Sequence, residues 1–235
     1  TDMLAMFNSA EVFNQDISGW DVSKVTNMER MFSSAYLFNQ DISGWDVSSV
    51  TTMATMFSWA RKFNAPLDAW GAKTAKVTAM NSMFERATLF NQDISGWDVS
   101  SVTTMATMFK DASAFNKPLN AWGAKTAKVT SMYQMFSAAT AFDQDISGWD
   151  VSSVTSMRYM FTGATAFNQD ISGWDVSSVT ALTNMFDGAS VYNQPLNAWG
   201  AKTAKVTSTE YMFRGATAFN QDISGWDVSS VTTMG

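Results

Sequence analysis

The stretch "FNQDISGWDVSSVTTMATMFKDA", Phe90–Ala112, carries every element of a pattern that fills the chain. Its first sixteen residues recur unchanged at Phe219–Met234, and close copies begin at Phe13, Phe38, Phe142 and Phe167. Val102 serves as a ruler. The Val before Thr returns at Val25, Val50, Val77, Val129, Val154, Val179, Val206 and Val231, at intervals of 25 or 27 residues. Periods of that size mark stacked units, because one short unit cannot bury its own apolar faces. Thr1 falls inside a repeat, so residues 1–235 read as a single continuous array of about nine coils, excerpted from a longer one.

Counted from the ruler Val, every Met falls at position 3 or 6, every Phe at 7 or 13, and an Ala at 10. The pattern M-x-x-M-F-x-x-A is apolar at i, i+3, i+4 and i+7, which predicts a helix of about two turns. Thr at position 1, as in Thr26, Thr51 and Thr78, suits the N-cap of that helix. The other half of each unit reads I-x-x-W-x-V, as in Ile17, Trp20 and Val22, and predicts a short strand with Trp and Val inward. Phe109 is expected to lie buried between its counterparts Phe84 and Phe136.

Three long units depart from this in one way. "NAPLDAWGAKTAKV" (Asn64–Val77) returns as "NKPLNAWGAKTAKV" (Asn116–Val129) and "NQPLNAWGAKTAKV" (Asn193–Val206). Pro66, Pro118 and Pro195, the only prolines, stand where short units carry Asp, and Gly71, Gly123 and Gly200 replace a second Asp. Two added residues after Trp predict a longer turn or bulge, with Gly supplying backbone freedom.

Composition narrows the function. A net charge of −6 argues against a basic nucleic-acid surface. There is no Cys and no His, which removes thiolate chemistry, the commonest general base and the commonest transition-metal ligand. No run approaches the roughly 20 apolar residues of a membrane span, so no direct membrane insertion is expected. Ser and Asp are spread evenly instead of converging, so no catalytic constellation, cofactor site or metal site is assigned.

The spacing Ile17-x-x-Trp20-x-Val22-x-x-Val25-Thr26-x-Met28-x-x-Met31-Phe32 resembles a leucine-rich repeat of the Treponema type, L-x-x-I-x-I-P-x-x-V-T-x-I. More specifically, "FNQDISGWDVSSVTxMxxMFxxA" is similar to the roughly 26-residue repeat of BspA-like bacterial surface proteins, which is also abundant in mycoplasmas. The 27-residue units and the strand Trp depart from the usual Treponema-type pattern. The resemblance spans essentially the whole chain. It implies an α/β, leucine-rich-repeat-like solenoid with one short strand and one short helix per 25- or 27-residue coil. It also implies an extracellular or cell-surface setting and a non-enzymatic, adhesion-type role, with a protein or glycan of a cell surface or matrix as partner. It supplies no ligand or catalytic residue to carry over.

Four polar or aromatic columns invite a functional reading. Trp20, Trp45, Trp70, Trp97, Trp122, Trp149, Trp174, Trp199 and Trp226 are a sugar-stacking platform or, as their alternation with Val favours, core. Trp59 lies outside that column and is expected to be partly exposed. The Asn column beginning at Asn14, Asn39 and Asn64 is a ligand row or, more simply, a buried amide ladder serving backbone groups at a turn. The Thr column has the regularity of an ice-binding array, but its neighbouring column is irregular, which favours the cap. Asp21, Asp46, Asp98, Asp150, Asp175 and Asp227 are the candidate binding residues, outward on the strand face between Trp and Val. Two adjacent Asp pairs offer Ca²⁺ hard oxygen ligands but no converging loop, and a solvated face is the plainer reading. The competing role is structural: coils that stack end to end, or continue into a fibre.

Overall fold

The computed structural model describes residues 1–234. It is a stack of coils, and it corrects the expected architecture. Among the described residues there is no α-helix and no multi-residue strand. Regular structure amounts to three 3-10 helices, Asp68–Thr74, Asn120–Thr126 and Asn197–Thr203, one in each long unit. Nine isolated parallel bridges run from Asp2–Asn27 to Ser208–Thr233, one residue per coil. An α/β, leucine-rich-repeat-like solenoid is therefore not what this sequence builds.

The segment expected as a helix is a ribbon of turns. In Val25–Ala35 the N–H groups of Met28, Arg30, Phe32 and Ser34 donate to the carbonyls of Thr52, Ala54, Met56 and Ser58 in the next coil, at 2.7–3.1 Å. The intervening N–H groups of Met31, Ser33 and Ala35 turn back to Met28, Arg30 and Phe32. That alternation needs a left-handed residue at positions 5 and 9 of each coil, here Arg30 at φ 57° and Ser34 at φ 58°. Each such residue costs about 1–2 kcal/mol. Four bonds to the neighbouring coil, each worth about 0.5–1.5 kcal/mol net, offset two such residues. A two-turn α-helix could not compete, because so short a helix is marginal in isolation and offers its neighbours no backbone groups.

The expected strand is also a pair of turns. Trp45 N–H donates to the Ile42 carbonyl (3.1 Å) and Val50 N–H to Val47 (3.0 Å). Each turn is fastened by an Asp two residues before a Ser: Asp41 Oδ1 accepts from Ser43 N–H (2.9 Å) and Asp46 Oδ1 from Ser48 N–H (3.1 Å). D-x-S thus writes an Asx-turn, which competes with strand pairing. Trp and Val still point inward, as alternation required. Thr is no helix cap. Thr51 donates both its N–H (2.8 Å) and its hydroxyl (3.0 Å) to the Thr26 carbonyl of the preceding coil, and the column repeats this from Thr26 to Thr232.

The long units do what their Gly required. Gly71 takes φ +36°, and the buried Thr74 hydroxyl bonds the Gly71 carbonyl and, in the next coil, the Asp98 carbonyl. Inside the stack, one apolar core runs from Ile17 to Met212. Phe109 is fully buried, with ring centroids 5.8 Å from Phe84 and 5.6 Å from Phe136, as expected, and 4.0 Å from Phe115 in its own coil. The Trp column is core as well. Within the column, which leaves out Trp59, the indole N–H of each Trp from Trp45 to Trp226 donates to a carbonyl in the preceding coil, as Trp122 does to Ile94 at 3.2 Å.

Candidate functional site

The six candidate Asp residues each have a local task. Asp21 Oδ1 accepts from both the N–H (3.0 Å) and the hydroxyl (2.6 Å) of Ser23, and Asp46, Asp98, Asp150, Asp175 and Asp227 each accept the N–H of the Ser two residues on. The Ser hydroxyl and N–H hold the carboxyls of Asp21, Asp46, Asp98, Asp175 and Asp227 below the ordinary carboxylate value of 3.8. Lysines of neighbouring coils add to this: Lys73 acts on Asp46, Lys125 on Asp98, and Lys202 on Asp175, while Asp21 opposes it at Asp46. A hydrogen-bonded carboxylate favours its charged form, which is the physical cause throughout. Among the described residues no three Asp or Glu side chains come together as a metal-holding group.

The Asn column forms the expected ladder, but its side chains are exposed or half-buried instead of buried. Asn39 Oδ1 accepts the N–H of Asn64 (2.7 Å), Asn64 that of Asn91 (2.8 Å), and so on to Asn220. Asp143 substitutes without a break, since its Oδ1 accepts the N–H of Asn168 at 2.8 Å. These amides join coils and leave little free for a ligand.

What remains is the segment from position 4 to position 12, where side chains differ from coil to coil. Most other columns repeat because they are core, ladder or turn, position 2 being an exception; here the outward side chains vary, although positions 5 and 9 still supply the left-handed backbone of the ribbon. All five Arg, the half-buried Trp59, and Tyr36, Tyr133, Tyr159 and Tyr211 fall in it. Most of them pair in separate cation–aromatic groups, the longest of which crosses successive coils. The Arg61 guanidinium lies 4.8 Å from the Tyr36 ring centre and 5.0 Å from that of Trp59, and Arg86 lies 4.1 Å from Trp59. Arg86 Nε then donates to Asp111 (3.0 Å) in the next coil. Further along, Tyr133 and Tyr159 meet edge to face at 5.9 Å, and Arg214 lies over Tyr211 at 4.9 Å while bonding Asp187. Sequence reading singled out Trp59 alone. The signal for the rest was present as columns that vary inside a strict repeat.

Among the described residues no helix is long and apolar enough to cross a membrane. No curated protein matches the chain. A family model described as "Mycoplasma protein of unknown function, DUF285" matches four overlapping stretches, residues 1–76, 71–160, 123–207 and 145–235. Each stretch holds several of the coils whose ladders and turns are described above, and together the stretches span the chain: it belongs to the DUF285 family.

Proposed function

We propose that this chain is a non-enzymatic interaction protein of the adhesion type. Its lateral face meets a protein or glycan of a cell surface or matrix. The observation that carries this is the division of labour among columns: invariant residues build the stack, and the variable ones gather Tyr, Trp and Arg on one outward segment. Aromatic and Arg side chains are the types enriched where interfaces draw most of their energy. The resemblance to BspA-like surface repeats points to the same role and to an extracellular or cell-surface location. The Asp face contributes solubility and a repetitive acidic stripe instead of the contact residues.

Binding of the labelled chain to a glycan array and to immobilised matrix proteins tests the reading. Wild-type signal that Arg61→Ala/Arg86→Ala removes and Asp46→Asn/Asp175→Asn retains is the expected result. Equal signal from all three, or signal lost only with the Asp variant, overturns the choice of face.

A further inference from the structure

Trp59 differs from the column tryptophans in backbone and in bonding. It is left-handed, at φ +63°, in a column where later coils carry Ala138, Gly163 and Gly188 in the same conformation. A bulky side chain there adds strain to the turn without filling the core, since Trp59 lies half-buried at the side of the stack. Among the described residues its indole N–H meets no acceptor, whereas the column tryptophans from Trp45 to Trp226 all donate to a carbonyl. The turn itself asks for a small residue here, not an indole.

Arg61 stands beside it on fixed backbone. Lys62 N–H donates to the Tyr36 carbonyl of the coil before (3.1 Å), and the Thr88 hydroxyl of the coil after donates to the Arg61 carbonyl (3.4 Å). The guanidinium lies near two rings, 4.8 Å from the Tyr36 centre and 5.0 Å from that of Trp59. Neighbouring charges are already paired: Arg86, over Trp59, with Asp111, Lys110 with Glu85, and Arg30 with Glu29. Among the described residues Arg61 pairs with no carboxylate. Around this one open charge stand two further donors, the Tyr36 hydroxyl and the Trp59 indole N–H.

A guanidinium presents its N–H groups as a planar fork that matches a carboxylate. With only Arg61 and Lys62 uncompensated here, on a chain of net charge −6, a single carboxylate fits and a dense polyanion does not. An extended peptide finds no edge to pair with, because the N–H groups of Thr55, Phe57 and Trp59 are engaged by the Asn81, Met83 and Glu85 carbonyls of the next coil. A sugar needs no such edge. We propose that Arg61, flanked by Tyr36 and Trp59, binds the carboxylate of an acidic sugar, a uronate or a sialate, whose oxygens also accept from the Trp59 indole N–H and the Tyr36 hydroxyl. This rests on the lateral-face reading above and names a ligand class for it.

The Trp59 indole N–H resonance of isotope-labelled protein, identified by its loss in Trp59→Phe, reads binding at the site itself. Sodium glucuronate or N-acetylneuraminate is expected to move it saturably, and the one that does so identifies the source of the carboxylate. Glucose, sodium acetate and a poly-Glu peptide at the same concentration are expected to leave it in place. Arg61→Lys keeps the charge without the fork, and with its fold confirmed by circular dichroism should bind the sugar about tenfold more weakly, the worth of one charge-assisted hydrogen bond. A resonance that neither acid moves, an equal shift from acetate or the peptide, or unchanged affinity in Arg61→Lys would overturn the inference. Array or matrix signal that Arg61→Ala/Arg86→Ala removes, together with an indole resonance indifferent to both acids, sinks the acidic sugar and keeps the lateral face.

Discussion

The rings of Phe109 and Phe115 lie 4.0 Å apart and within 9° of parallel, the closest approach between the two Phe columns in their coil. Each ring is also stacked on its counterparts above and below, so Phe109 touches Phe84 and Phe136 as well. Phe109→Ala leaves a cavity that neither column can collapse into without breaking register. We expect a loss of about 3–5 kcal/mol, read as a lower urea midpoint. Because each coil contacts only its neighbours, hydrogen exchange should speed up in the coils around Phe109 before the ends respond. An unchanged midpoint would refute the stacked-core assignment.

Ala138 sits at φ +55°, in a column where Gly163, Gly188 and Gly215 take the same left-handed conformation in the last coils. An alanine there pays a steric penalty in the folded state that glycine does not. Ala138→Gly should therefore stabilise the protein, by up to about 1 kcal/mol after the entropy of the more flexible unfolded chain is subtracted. The reverse change, Gly188→Ala, should destabilise through backbone strain, since its φ is +71°, although the added Cβ finds room at an ordinary contact distance of 3.7 Å from Gly163 Cα. Melting temperatures that moved the other way would show that the ribbon is not left-handed at position 9.

Tyr192 replaces Phe in its column and stacks 5.8 Å from Phe167 and 4.0 Å from Phe186. Its hydroxyl is buried without a partner, and burial, with the charge of Asp170 second, pushes the phenol far above its ordinary value. A buried unpaired hydroxyl costs about 1–3 kcal/mol. Tyr192→Phe should return part of that as a raised melting temperature with no change in fold. A drop in stability would mean that the hydroxyl has a bonding role.

Asp46 closes its turn through an acceptor oxygen, and its charge is secondary to that. Asp46→Asn keeps the acceptor and should leave the melting temperature nearly unchanged, whereas Asp46→Ala opens the turn and should lower it. The carboxyls of Asp21, Asp46, Asp98, Asp175 and Asp227 are all held below 3.8 in the folded chain. Their contribution is thus complete above that value and is lost as the pH falls through their lowered folded values. Stability should be flat from neutral pH down to about 4–5 and fall below it. Chelators should leave the melting temperature unchanged; a shift of several degrees, abolished by Asp150→Asn, would establish Ca²⁺ at the Asp pairs.

The sequence alone determined the period, the inward columns and the Asn ladder. Met, Phe, Trp and Val recur at fixed positions because each must meet its own copy, and that requirement is visible without knowing the backbone path. The three Gly of the long units were legible for the same reason, as residues placed where a turn needs φ above zero. Only the tertiary structure decided how the backbone runs between those columns. M-x-x-M-F-x-x-A has helical spacing, yet alternate N–H groups of Val25–Ala35 bond a coil about 25 residues away, and no local pattern records a partner at that distance. Left-handed Arg30 and Ser34, unfavourable by themselves, are held by those bonds. The row from Tyr36 through Arg61, Trp59 and Arg86 to Asp111 is likewise a product of stacking. Its members are scattered in sequence, and the coil repeat alone brings them side by side.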